Sequence, residues 1–206
     1  MYIGRTFLSL SVLLTCALTA LPQDQANEAY KVYDAVIRSM FADDKVTFDL
    51  GGPLVKQLVI LDRTSTKYAY GDTKENWNKV RHRLPELTDR LIANYELNLK
   101  NSKSLRKGFG THLPYKLLSK AGLDSIFRDS HSLDRTHENW KKFYELYPGS
   151  HGYISFSDVG FDEEAGKALV YFVHWCGTLC GSGHYVLLSK TADGWQVMTR
   201  TMIWIS

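Results

Sequence analysis

The last third of the chain leaves the fewest ways to fold. From Gly152 onward, runs dense in β-forming residues recur at short intervals: 153–159, 168–175, 185–189 and 195–205. The connections between them are 162–166, 177–183 and Ala192-Asp193-Gly194. An Asp-Gly pair between two β-rich runs is a strong hairpin signal, because Gly supplies the positive φ that the tight turns need. The pattern predicts a four-stranded antiparallel meander closing the chain.

The middle of the chain reads differently. Residues 27–41 place Ala29, Tyr30, Tyr33, Val36, Ile37, Met40 and Phe41 three and four apart, which makes one buried helical stripe. Asp43-Asp44-Lys45 breaks the pattern, a Gly51-Gly52-Pro53 turn follows, and 54–61 reads as a strand. Residues 73–100 read as helical, with a new helix or a kink at Pro85, which has no amide donor. The polar, basic stretch 100–110 reads as a loop, and 115–119 as a short strand. Thr136 caps a further helix that turns Trp140, Phe143 and Tyr144 inward and stops at Pro148-Gly149. Helices followed by a sheet give the class α+β, with the helices on one face of the meander. In element order alone this is similar to cystatin and nuclear-transport-factor folds, a likeness that carries no function.

The beginning of the chain reads as an address. Arg5 gives a positive start, and residues 7–20 then carry no charge. A bilayer-spanning helix needs about 20 apolar residues, so this run is too short to span. Basic start, short apolar centre and small residues at the end match a secretory signal peptide at 1–20, with the mature chain starting between residues 18 and 23. A single domain over 24–206 follows, and roughly 185 residues suffice for a real core. Leu13-Leu14-Thr15-Cys16 also resembles a degenerate bacterial lipobox, departing from it at Thr15, where a smaller residue is usual. The expectation is a secreted or periplasmic protein, lipid-anchored only if Cys16 is modified. A net charge of +3 in 206 residues lacks the concentrated field of a nucleic-acid binder.

Export bears on the two cysteines left, Cys176 and Cys180, in His174-Trp175-Cys176-Gly177-Thr178-Leu179-Cys180-Gly181-Ser182-Gly183-His184. In an oxidising compartment an even pair is more often a disulfide than two thiols. Closing so small a ring is worth about 2 kcal/mol. A second reading is a metal site. His174 and Cys176 share a face of a strand, and Cys180 and His184 complete a Cys2His2 set for Zn or Cu. A redox-catalytic reading fails on spacing, because three residues intervene and no helix follows. A phosphate loop fails because no Gly-Lys-Ser/Thr follows.

Elsewhere, Asp158, Asp162, Glu163 and Glu164 form either a calcium patch or, more simply, a solvated turn. Lys100, Lys103, Arg106 and Lys107 form either a contact for anionic lipid or polysaccharide or a solvated loop. Neither Gly-x-Ser-x-Gly nor His-Glu-x-x-His occurs.

The last third resembles a family of uncharacterised exported bacterial proteins. The likeness rests on Tyr147-Pro148-Gly149-Ser150, Val159-Gly160-Phe161, Ala168-Leu169-Val170-Tyr171, the Cys176-Gly177-x-Leu179-Cys180-Gly181-x-Gly183 segment with Tyr185-Val186-Leu187-Leu188, and Trp204-Ile205-Ser206. It implies export and the cysteine-containing loop, and no activity. The combined expectation is an exported binding or interaction module without evident catalytic machinery, with no cofactor, and with a ligand or protein as partner. The alternative is an envelope hydrolase or metal-binding protein using the His174–His184 loop.

Overall fold

A computed structural model describes residues 21–41, 54–66, 74–128 and 132–206. The leader, the Asp43-Asp44-Lys45 break and the Gly51-Gly52-Pro53 turn lie outside the described residues.

Helix α1 (Leu21–Met40) carries the expected stripe, with Ala29, Tyr33, Val36, Ile37, Met40 and, just past its end, Phe41 buried and Tyr30 half-buried; Val32 is buried beside them. Strand β1 (Leu58–Leu61) is shorter than its apolar run. Pro85 separates α2 (Lys74–Arg83) from α3 (Asp89–Asn98), and the Thr88 hydroxyl caps α3 by accepting from the Leu91 amide. Strand β2 (Tyr115–Leu118) lies where the sequence places it, but a helix α4 (Lys120–Phe127) follows that periodicity does not announce. The cap of α5 (Leu133–Leu146) is Ser132 rather than Thr136, one turn earlier. Ser132 Oγ accepts from the Arg135 amide, while the Thr136 hydroxyl donates back to the Ser132 carbonyl.

The expected four-stranded meander with helices on one face is corrected. Strands β3 (Tyr153–Phe156), β4 (Gly160–Asp162), β5 (Lys167–Gly177), β6 (Cys180–Thr191) and β7 (Gly194–Ile205) belong to one seven-stranded mixed sheet together with β1 and β2. Its order is β2-β1-β3-β5-β6-β7, with β4 beside β5. The pairs β1–β2 and β1–β3 are parallel, and the pairs from β3 to β7 are antiparallel. Parallel neighbours need a crossover, and α2–α3 and α4–α5 are those crossovers.

Helices cover both faces, giving a mixed α/β architecture. Val170, Phe172, Val186 and Leu188 pack under α1. Leu169, Tyr171, Val173, Tyr185 and Leu187 pack against α2 and α3. A third cluster sets Trp140 and Phe143 of α5 against Val59 and Leu118. The physical reason stands in the sequence of β5, where Ala-Leu-Val-Tyr-Phe-Val is apolar at every position. A strand covered on one side alternates, whereas one covered on both does not.

Candidate functional site

The glycine-rich segment is not the connection the sequence suggests. The turn is only Thr178-Leu179; Gly177 ends β5, and Gly181 and Gly183 lie inside β6. A Cβ on Gly183 would overlap Trp204 Nε1 and Tyr171 Oη, and one on Gly181 would overlap the Trp175 ring. These positions therefore admit indoles lying across the strand. Trp175 and Trp204 pack with ring centroids 4.8 Å apart and planes tilted by 39°, and Trp204 Nε1 donates to Tyr171 Oη over 2.5 Å.

Cys176 and Cys180 form a disulfide across this hairpin, with Cα atoms 5.0 Å apart. Tyr144 of α5 fixes the loop by donating to the Cys176 carbonyl at 2.7 Å. Burial pushes the Tyr144 hydroxyl up to about 12, so it is a lasting donor. With its sulfurs joined, the Cys2His2 set has no thiolate to offer.

His174 and His184 lie on the opposite face from the indoles, 0% and 3% exposed. Neither ring is presented to a substrate. His184 Nε2 lies 3.0 Å from Ser182 Oγ. Burial, reinforced by Arg200, lowers its pKa to about 4, so it is neutral at pH 7. A residue that sequence reasoning missed stands beside His174. His151 Nδ1 is 3.4 Å from His174 Nε2, and the two rings stack.

Only half of the acidic quartet is a solvated turn: Glu163 and Glu164 are exposed on the turn after β4, whereas Asp158 and Asp162 are buried. Asp158 is buried, accepts from the Val159 amide and pairs with Lys103. Asp162 is buried and accepts from Thr88 Oγ1 and the Ala165 amide, with Arg90 at 3.3 Å. Burial raises the Asp162 pKa, but these donors and the Arg90 and Lys167 charges outweigh it and hold the carboxyl low. Of the other two, Glu164 pairs with the same Arg90 and Glu163 is exposed. Cations and amides thus occupy both buried carboxylates, so the quartet offers no calcium cage.

The basic stretch is a loop, but a strapped one. Leu105 and Phe109 insert into the α1 core. The Thr64 amide donates to the Lys103 carbonyl, the Lys103 amide donates to Thr64 Oγ1, and the Leu105 amide donates to the Asp62 carbonyl. The strap leaves a two-lobed cleft along α1. The inner lobe, about 360 Å³, is lined by Tyr33, Thr64, Asn98, Asp158 and Phe161. The outer lobe, about 770 Å³, is lined by Asn27, Lys31, Asp34, Arg106 and Lys107. Both share Tyr30, Lys103 and Ser104.

Asp34 is the unusual residue of the cleft. It is 8% exposed. Its Oδ2 accepts from the Gly110 amide at 2.8 Å, and Oδ1 has no hydrogen-bond partner among the described residues. A Cβ at Gly110 would stand 2.9 Å from Oδ2, so glycine is what lets this backbone approach the carboxylate. Burial raises the Asp34 pKa, and the Gly110 amide and Arg38 only partly oppose it. The signal for this site was present as spacing. Asn27, Tyr30, Lys31 and Asp34 share a helical face, beside the apolar stripe rather than opposite it.

Comparison with protein-family models, curated proteins and solved structures found no match.

Proposed function

We propose that the chain is an exported binding module and that the cleft between α1 and the 98–110 loop holds its ligand. Arg5, the uncharged run after it and the bonded cysteine pair support export to the periplasm or exterior. A lipid anchor follows only if Cys16 is the modified residue. Among the described residues no helix is long and apolar enough to cross a membrane.

The observation that carries the reading is Asp34. A buried carboxylate oxygen without a donor costs on the order of 1–3 kcal/mol. Folding tolerates that cost where a ligand supplies the missing donor. The rim adds Lys31, Lys103, Arg106 and Lys107, and the walls add the rings of Tyr30, Tyr33 and Phe161. A molecule with hydroxyl or amine donors, an anionic group and a flat apolar side satisfies all three. Those are the properties of an acidic saccharide.

Titration calorimetry of the purified protein with tetragalacturonate tests this, with cellotetraose as the neutral control. Saturable, salt-weakened binding of the acidic tetramer alone is expected. Asp34→Asn, and Arg106→Ala with Lys107→Ala, are each expected to weaken it by about tenfold or more. Absence of saturable binding sinks the ligand class, and binding indifferent to Asp34→Asn sinks the site.

A further inference from the structure

The geometry points to a second, redox-gated site: His151, His174 and Cys176 bind a zinc ion when the Cys176–Cys180 disulfide is reduced. This inference uses none of the cleft residues and stands independently of the function proposed above.

One donor atom from each of His151, His174 and Cys176 lies within 4.8 Å of the other two. The imidazole pair is nearer still, His151 Nδ1 to His174 Nε2 being 3.4 Å. Two Zn–N bonds of about 2.0–2.1 Å at a tetrahedral angle span about 3.3–3.4 Å. The separation of the two ring nitrogens therefore already matches one edge of a zinc tetrahedron, and a turn of the half-buried His151 ring is what aims both at one ion. In the disulfide form His174 Nε2 instead meets the His151 carbonyl at 2.5 Å.

The backbone holds this pair together. Gly152 has φ 77°, and a Cβ there would overlap the Trp175 carbonyl and Cys176 Cα. Only glycine lets the chain press against β5 at this point, and the residue it delivers there is His151. Cys176 is anchored from the far side by Tyr144. His151 and Cys176 are half-buried, so the ion has a way in, while His174 forms the buried floor.

Reduction completes the set. A dithiol gives two electrons and two protons to the Cys176–Cys180 bond, yielding two thiols and the oxidised dithiol. Zinc then displaces the proton from Cys176 Sγ. His174 moves its proton from Nε2 to Nδ1, exchanging the bond to the His151 carbonyl for one to the metal. Cys180 or a water molecule takes the fourth position. Borderline-soft Zn²⁺ suits one thiolate with two imidazoles. The disulfide and the ion thus exclude each other.

The test compares oxidised protein with protein reduced by dithiothreitol and desalted without oxygen. Each is titrated with Zn²⁺ against a chromophoric chelator and, separately, with Co²⁺. The reduced protein should take up one ion per chain. Its cobalt form should show thiolate-to-metal charge transfer and intense tetrahedral visible bands. The oxidised protein should bind about a hundredfold more weakly or worse. His151→Gln alters a half-buried ring and leaves the core intact, and should weaken zinc by about tenfold or more. Bound zinc should also slow reclosure of the disulfide in air. Equal affinity of the two forms overturns the proposal. So does tight binding that survives His151→Gln, since the two cysteines would then hold the ion without the imidazoles.

Discussion

The two faces of the central β5–β6 hairpin share a backbone and differ in nearly everything else. The face toward α2 and α3 ends in a wall of indoles and phenols, closed around Gly181 and Gly183. The face under α1 starts as an ordinary apolar core and ends in His174 and His184, and α1 itself carries Asp34 on its flank. One face is filled to contact and its polar tips pair with each other. The other carries titratable groups whose burial is costly. The difference shows where stability comes from in this protein and where ligand chemistry can be carried.

The largest effect is expected from the apolar part of the α1 face. Phe172 is fully buried and packs on Phe41 and Phe156. Phe172→Ala should cost about 3–5 kcal/mol in denaturant unfolding. A smaller loss would mean that α1 does not cover the sheet as described.

Next comes the acid response. In the folded chain His184 takes a proton only below about 4, whereas unfolded it does so below its ordinary 6.5. Between those values the unfolded state binds the extra proton, so stability is lost as the pH is lowered through that window, by about 3 kcal/mol. His184→Gln should flatten the slope. Asp34, with its raised pKa, works in the opposite direction, so the comparison is cleanest in an Asp34→Asn background. Glu28 is held down at about 2 by Lys31, Trp195 and Lys190 against burial, and unfolded it takes its proton near 4.5, so its own loss of stability starts at the acid end of this window and runs on below it.

The indole face should respond to crowding rather than to protons. Gly183→Ala places a methyl where Trp204 and Tyr171 meet and should cost about 1–3 kcal/mol, independent of pH. A pH-dependent loss would blur the distinction between the faces. Reducing Cys176–Cys180 should cost about 2 kcal/mol in metal-free buffer, a modest amount because the ring is small.

The smallest effect has the opposite sign. Asp34→Asn removes a buried charge and should raise the unfolding free energy slightly, by about 1 kcal/mol or less, while ligand binding falls. Stability lost together with binding would make Asp34 a structural residue.

Several features were legible in the chain itself. The stripe of α1, the break at Pro85, the β-rich tail, the Ala192-Asp193-Gly194 turn and the cysteine pair all rest on interactions between residues close in sequence, where periodicity and turn chemistry act directly. The unbroken apolar run of β5 even carried the news of two-sided burial. The parallel placement of β1 and β2, the pairing of His151 with His174 and the cleft over Asp34 were settled only by tertiary structure. Each joins segments many residues apart, brought together by crossovers and by the close approach at Gly152, and no local pattern encodes which distant partner a strand or a side chain will meet.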